Sequence, residues 1–521
     1  MATNEKVSSI HEKACSASRR LFYRRQFLLS REPVHELVDW RHFQINKYFL
    51  YVHPDLQVTQ IEDSRRSVVL VGSLFDPTQP DLDNNEILEK IYGSSASLGE
   101  WFLLVKRYVG SYVFLYVDAK DAVIFHDALG IREVYYTTIY NRIVCGSQPN
   151  FVANFAKPEI NPTKNPLVID FYENYFREYS WIGDETYYEG VKHLLPNHYL
   201  DLDQRKARRY WPNEAIKALS VEAAVAESCY LLQGAMRAIV HRHPAMMAVT
   251  AGTDSRTLLA ASRGIEKSVY FFINNERRDC RHPDVSVPKR MFKAIGLPFH
   301  VHEVPNSVDD EFRQIFLNNV FFATERILPT IYNVYFKEHS GKVNILGTGE
   351  IGRTRFGRDP KHINSYRLAY KMGYGDCRYA VEKCEHILAE LLPVARKFGI
   401  YVLTLFHWEQ NKGNRWVVGN SESDIAIEEI DPFDSHRLYE VLLGVDKRYC
   451  SYTSNILFEE MIRYMWPHLL LWPINPPYTL RDRIIWLLGR VGILEPLKEI
   501  KYQMDYGRYR YTAWRAGLGI R

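Results

Sequence analysis

The chain has 521 residues, 46% of them hydrophobic, with 66 basic against 62 acidic side chains and a formal net charge of +4. That length exceeds what one ordinary core serves, so two domains are expected, and the composition excludes a disordered chain. The near-balanced charge makes nucleic acid an unexpected partner and leaves small-molecule chemistry as the default.

The start, Met1-Ala2-Thr3-Asn4-Glu5-Lys6, lacks the charged-then-apolar layout of a signal peptide. The most apolar runs, such as 67–75, are far shorter than the ~18 residues a membrane helix needs, so a cytoplasmic protein with no membrane partner is expected. Seven cysteines, at 15, 145, 229, 280, 377, 384 and 450, are odd in number and form no Cys-x-x-Cys pair. They read as reduced thiols, not as a disulfide framework or zinc knuckle.

From Ser67 to about Gln148 the sequence gives short β-rich runs at 67–75, 111–117, 122–125, 134–139 and 142–146, separated by Asp, Gly and Asn. This half predicts stacked antiparallel sheet with a few helices. After Pro212 the rhythm becomes helix 221–241, strand 245–250, helix 255–263 stopped by Gly264, strand 268–273, helix 284–295 stopped by Gly296, and strand 299–304. A β-α-β-α-β order predicts a parallel sheet covered by helices. The seam falls within Asp203 to Val221.

In such a sheet ligands bind beyond the carboxyl ends of the strands, where Thr250-Ala251-Gly252-Thr253-Asp254-Ser255 opens a helix. Gly252 and its small neighbours let backbone N–H groups approach a phosphate, Ser255 adds a hydroxyl, and Asp254 suits Mg²⁺. No Gly-x-x-x-x-Gly-Lys-Ser/Thr stretch is present, which excludes the Walker type of phosphate loop. An ordinary capped strand-to-helix turn is the alternative from the hexapeptide alone.

The hexapeptide resembles the Ser-Gly-Gly-x-Asp-Ser loop of the ATP pyrophosphatase superfamily, with alanine at one glycine. Further stretches resemble the asparagine synthetase family in matching order. They are 110–117 with His126-Asp127-Ala128-Leu129-Gly130-Ile131-Arg132-Glu133-Val134-Tyr135-Tyr136, then Leu195-Pro196-Asn197-His198, Tyr210-Trp211, His282-Pro283-Asp284-Val285 and Asp431-Pro432-Phe433-Asp434. The resemblance implies an N-terminal Ntn-hydrolase-like αββα sandwich (1–212, a degenerate glutaminase-like domain). It also implies a doubly wound parallel-sheet ATP pyrophosphatase (HUP-like) synthetase domain with added helices (213–521). It implies ATP and Mg²⁺ as cofactors, a carboxylate that is adenylated and an amine that displaces AMP. Asp254 would then ligate Mg²⁺, Ser255 and the backbone of Ala251 to Thr253 would hold pyrophosphate with Thr250 beside them, and Val249 with the Tyr270 to Ile273 strand end, Phe272 included, would frame the adenine.

Two departures redirect that expectation. The family's glutaminase exposes a cysteine as its first residue, whose own amine is the general base. Here Ala2 stands in that place, with Thr3 and Cys15 as unsuitable substitutes, so the glutaminase is expected to be inactive. The chain is thereby similar to β-lactam synthetases and lasso-peptide cyclases, which use an amine already present on a substrate. At Ile345-Leu346-Gly347-Thr348-Gly349-Glu350-Ile351-Gly352-Arg353 the family has Ser-Gly-Glu-Gly-x-Asp-Glu. Aligning Glu350 with the second metal acid leaves Gly347 or Thr348 where the first glutamate belongs. Gly347 and Gly349 then border the nucleotide, and Arg353 and Arg355 suit a phosphate or acidic substrate.

Lys498 and Lys501 are candidates for the lysine the family sets against the reacting phosphate. The tail 498–521 interleaves arginines with Tyr506, Tyr509, Tyr511 and Trp514, a mixture able to stack on bases but expected to pack on its own domain. His241 with His243, and His300 with His302, lack a third zinc ligand at suitable sequence spacing. Glu325, Glu428 and Glu429 are further possible bases. The expected activity is an AMP- and pyrophosphate-forming ligase joining a small-molecule or peptide carboxylate to an amine, in a chain expected to form a homodimer. A nucleotide- or tRNA-modifying enzyme of the same loop type, or an inactive scaffold, is the alternative.

Overall fold

The structure is a computed structural model. It describes residues 19–515 apart from 138–141, 157–163, 176–180, 277–278, 322–324, 354–355, 357–358, 360–361, 376 and 451–454. Ala2, Thr3, Cys15 and Arg355 lie outside the described residues, as does the side chain of Trp514.

Among the described residues the first half contains twelve strands: β1 (Phe27–Ser30), β2 (Arg41–Ile45), β3 (Tyr48–Val52), β4 (Val58–Glu62), β5 (Arg66–Phe75), β6 (Val109–Asp118), β7 (Ala122–His126), β8 (Tyr135–Thr137), β9 (Val144–Gly146), β10 (Val191–His193), β11 (His198–Asp201) and β12 (Lys206–Arg209). They form two six-stranded sheets in the orders β10-β8-β9-β1-β3-β2 and β12-β11-β7-β6-β5-β4. Every pairing in both is antiparallel.

Side chains alternate across each strand, and β5 uses both faces. Val69 and Val71 join Leu29 and Leu50 of the other sheet in the layer between the sheets. Val68 and Leu70 meet Ile87, Leu88 and Trp101, which lie on helices α1 (Asn84–Ser94) and α2 (Leu98–Val105). Phe151 and Val152 cover the outer face of the first sheet at Leu28 and Tyr135. The result is helix, sheet, sheet, helix. Gly72 permits the close β5–β6 approach: its φ is 104° and a Cβ there would lie 2.2 Å from the Ser111 carbonyl oxygen.

The second half begins with α3 (Val221–Arg242), capped by the Ser220 side chain on the Ala223 amide. The parallel sheet follows as β13 (Ala245–Ala248), β14 (Val269–Asn274), β15 (His300–His302), β16 (Val343–Ile345) and β17 (Glu428–Ile430), ordered β15-β14-β13-β16-β17. All four pairings are parallel. Between strands run α4 (Thr253–Ala261) and α5 (Pro283–Ile295), the latter ended by left-handed Gly296 as the sequence suggested. After β15 the chain is mainly helical, with α6 at Arg378–Phe398 and a widened turn pattern at His407–Trp416. The molecule is thus a mixed α/β protein with two antiparallel sheets and one parallel five-stranded sheet.

Three boundaries differ from expectation. The strand at 245–250 ends at Ala248 and helix α4 starts at Thr253, so Thr253, Asp254 and Ser255 form its first turn instead of a preceding loop. Extended Gly252 serves as the N-cap and lets the helix begin early. The last of the expected strands, 299–304, retains only His300–His302 at the sheet edge.

Buried polar contacts tie the halves together. Asp434 accepts from the Leu129 amide at 2.8 Å, Trp408 donates to the Ala128 carbonyl at 2.7 Å, and Arg209 grips Glu409 with both nitrogens. One apolar cluster runs through both, joining Phe75, Val109 and Leu129 to Leu231, Met247 and Leu442.

Candidate functional site: a cleft at the strand-order reversal

From β13 the chain adds β14 and β15 on one side, then returns to add β16 and β17 on the other. The segments leaving β13 and β16 therefore diverge, which opens a crevice at the carboxyl ends of these neighbours. A cavity of about 320 Å³ occupies it, lined among others by Thr250, Asp254, Ser255, Glu350, Arg353 and Asn475.

The turn after β13 is held by its own side chains. Thr250 Oγ1 accepts from the Gly252 amide and lies 3.0 Å from Ser255 Oγ, which in turn accepts from the Thr250 amide at 3.2 Å. The Ala251 amide donates to Asp284 Oδ1 at 3.1 Å. Gly252 gives α4 no side-chain cap, leaving the positive end of the helix to the cleft. Asn475 closes over the turn, its amide donating to the Ala251 carbonyl at 2.8 Å and its side chain reaching Thr253 Oγ1 at 3.3 Å. Its segment is anchored by fully buried Arg256, which donates to the carbonyls of Leu469, Trp472 and Pro473.

Two acids meet here, Asp254 from the first turn of α4 and Glu350 from the facing turn after β16, each beside a cation. Arg353 donates to Asp254 Oδ2 at 2.5 Å, and Lys412 Nζ lies 2.6 Å from Glu350 Oε2, with His407 Nε2 3.8 Å from the same oxygen. Asp254 Oδ1 is buried without a hydrogen-bond partner. Burial raises the Asp254 pKa to about 6 against the pull of Arg353, and Glu350 adds to the rise. Asp431 is likewise raised to about 6 by burial. Of the glycines in the second turn, Gly349 is sterically required, since a Cβ there would sit 2.6 Å from Asp254 Oδ1, while one on Gly347 would sit 3.1 Å from Leu258 Cδ1, a tight contact with a side-chain end.

The residues singled out in the sequence divide accordingly. Thr250, Gly252, Thr253, Asp254, Ser255, Gly347, Glu350 and Arg353 line the cavity. Ala251 is buried beneath the turn, and Gly349 packs against Asp254 and Phe458. Val249 and Phe272 are fully buried, linked by the Val249 amide to the Phe272 carbonyl, and the wall beside them is Met247 and Ala248. Lys498 and Lys501 are exposed on a C-terminal helix, Lys498 paired with Glu495 at 2.6 Å.

The other candidate bases are engaged elsewhere. Glu325 pairs with Arg313, Glu428 with Arg132 at 3.2 Å, and Glu429 accepts from Asn344. Sequence spacing offered His302 no third ligand, yet the fold brings Glu338 and His339 to it, with ligand atoms within 4.8 Å of one another. Lys342 Nζ lies 3.3 Å from His339 Nδ1, and Glu338 is exposed.

Lys412 and Asn475 were missed. Neither belongs to a motif: Asn475 lines the cavity from the segment that Arg256 anchors, and Lys412 meets the cavity-lining Glu350 from the widened helix.

No family model matches this sequence, and no curated protein sequence matches it significantly. Among solved structures, the chain is similar to glutamine phosphoribosylpyrophosphate (PRPP) amidotransferase from B. subtilis complexed with ADP and GMP, at 11% identity and a TM-score of 0.23. That match covers 57% of this chain and 66% of the other. A second structure, described as the allosteric regulatory enzyme of purine biosynthesis, gives 12% identity and a TM-score of 0.23 over 56% of this chain and 63% of the other. The chain thus spans just under two thirds of each of these structures, and at such TM-scores the likeness carries no weight for function.

Proposed function

We propose that the chain is an ATP-dependent, AMP- and pyrophosphate-forming ligase that adenylates a carboxylate and passes its acyl group to an amine. One observation carries this reading. The turn Thr250 to Ser255 and the acids Asp254 and Glu350 meet in a polar cleft at the strand-order reversal, beside a helix start with no side-chain cap. The sequence resemblance to the asparagine synthetase family supports it, and the five-strand order suits an ATP pyrophosphatase (HUP-like) domain.

The residues fit Mg-ATP entering as a complex better than a free ion. Asp254 and Glu350 are balanced by Arg353 and Lys412, so a lone cation meets little net negative charge. Mg-ATP brings a net negative charge, and Mg²⁺ commonly binds through one or two carboxylates plus phosphates. Asp254, through its unclaimed Oδ1, and Glu350 would hold the ion. When bound, it would stabilise charge on departing pyrophosphate.

In the first step a carboxylate oxygen bonds to the α-phosphorus as the bond to pyrophosphate breaks. In the second the amine nitrogen bonds to the acyl carbon, AMP leaves and the nitrogen loses a proton. The first-turn amides of α4 and the Ser255 hydroxyl serve as donors to phosphate, since the amides of Ala251 and Gly252 are already engaged. Arg353 and Lys412 offset phosphate charge. The two ion pairs also favour a second reading, a nucleotide-binding scaffold without turnover.

The test is release of AMP and pyrophosphate from Mg-ATP across a panel of carboxylates and amines, with Asp254→Ala as control. Release by the wild type alone supports the ligase. ATP binding by calorimetry without release from any panel member supports the scaffold, and neither binding nor release overturns both.

A further inference from the structure

The C-terminal hairpin, α7 (Leu480–Arg490) and α8 (Leu494–Arg515), turns its apolar residues the wrong way for a helix that serves its own core. The side of α8 that meets the body is polar and aromatic. Glu499 takes both guanidinium nitrogens of Arg367, Tyr502 donates to Asn364 at 3.1 Å, and the rings of Tyr506 and Tyr509 lie 5.1 and 4.7 Å from that of Tyr366.

About half a turn away run Leu497, Ile500 and Met504, spaced three and four apart and 46%, 57% and 57% exposed. On α7, Leu480, Ile484 and Leu487 repeat that spacing at 74%, 52% and 56% exposure. No described side chain of α7 is buried. A helix of this length gains little stability in water by itself, so a covering surface is called for.

Charge indicates which surface. Residues 479–515 hold eight basic and four acidic side chains, a surplus equal to the +4 of the whole chain. The acids are turned inward or locally engaged: Asp482 completes the α7 capping box, Glu495 pairs with Lys498, Glu499 with Arg367, and Asp505 is half-buried. Arg481, Arg483, Lys501, Arg508 and Arg510 are left exposed around the apolar stripes. Two copies would bring like charges together, whereas an anionic surface would meet opposite charge.

We propose that the α7–α8 hairpin docks on an anionic phospholipid bilayer, with the aliphatic stripes in the boundary between headgroups and acyl chains and the basic residues against lipid phosphates. No helix among the described residues is long and apolar enough to cross a membrane, so the contact is with the surface. It departs from the sequence expectation of no membrane partner.

The test is co-sedimentation of the full chain with phosphatidylcholine vesicles, with and without phosphatidylglycerol. The wild type should pellet with the anionic vesicles and lose most of that binding in high salt. The exposed pair Ile484→Ser/Ile500→Ser should reduce the bound fraction at least about tenfold without lowering the unfolding midpoint. No pelleting with anionic vesicles overturns the proposal, as does binding that ignores salt or the substitutions. If sedimentation velocity instead finds a dimer that the same pair dissociates, the face belongs to a second copy and the membrane proposal fails.

Discussion

One methyl group added at Gly349 would place its carbon 2.6 Å from Asp254 Oδ1 and 2.7 Å from Phe458 Cε1. Favourable contact with carbon begins near about 3.5 Å, so the ring must retreat by nearly an ångström. Neither neighbour is free to do so. Phe458 is fully buried with the Arg353 guanidinium 5.3 Å from its ring centroid, and Arg353 also clamps Asp254. Gly349→Ala should therefore cost about 1–3 kcal/mol, the range for overpacking a fixed core. It should also shift the Asp254 carboxylate, weakening Mg-ATP binding at least about tenfold, or roughly 1.4 kcal/mol. Urea unfolding and titration calorimetry on one preparation read the two effects. Gly347→Ala, whose Cβ would meet the end of Leu258 at 3.1 Å and Asp254 Cβ at 3.5 Å, should cost under about 1 kcal/mol, and Gly419→Ala, on helical backbone with nothing within 4 Å, should stabilise by up to about 1 kcal/mol. A Gly349→Ala protein with wild-type midpoint and affinity would refute the packing of the second turn against Asp254.

Arg256→Met should destabilise the fold by about 3 kcal/mol in urea unfolding, because three carbonyls lose a charged donor, and should weaken nucleotide binding by loosening Asn475. Lys412→Met should lower both stability and Mg-ATP affinity by leaving Glu350 without its cation, while Lys498→Met and Lys501→Met should change neither. Burial raises the Glu133 pKa from 4.5 to about 8, so between those values the folded chain holds a proton that the unfolded chain releases. Stability must then fall as pH rises through that window, by up to about 1.4 kcal/mol per pH unit for this one group. Glu133→Gln should flatten the unfolding midpoint between pH 5 and pH 8; an unchanged slope would count against the buried proton.

The legible parts of the fold were those fixed by local pattern. Helix 221–241 and the stop at Gly296 appear in the structure nearly as read, because a capping serine and a left-handed glycine act within a few residues. The strands 67–75 and 111–117 were legible as apolar runs because both of their faces are buried. The edge strand β2 passed unread, its residues largely exposed and without an apolar run. At the site the turn from Thr250 to Ser255 was visible because its glycine and small polar residues follow a strand. Its electrostatics were not. Asp254 and Glu350 suggested a bare metal pair, and only the fold reveals that Arg353 and Lys412 face them. Lys498 and Lys501 drew attention through the family's phosphate-facing lysine, whereas the lysine paired with Glu350 sits at 412 on a helix whose buried polar residues have no sequence signature. The pairing of a basic, outward-facing apolar hairpin with an otherwise neutral chain was equally hidden, since which side of α8 meets the body depends on Arg367 and Tyr366.

Titration calorimetry with Mg²⁺ and the α,β-methylene analogue of ATP, which cannot be cleaved between its α and β phosphates, tests the central claim most directly. The account predicts one site per chain in the wild type, at least about a hundredfold weakening in Asp254→Ala with its fold retained, and no heat from Mg²⁺ alone at the same concentrations. Absence of nucleotide binding by the wild type, or binding that Asp254→Ala leaves unchanged, would contradict it.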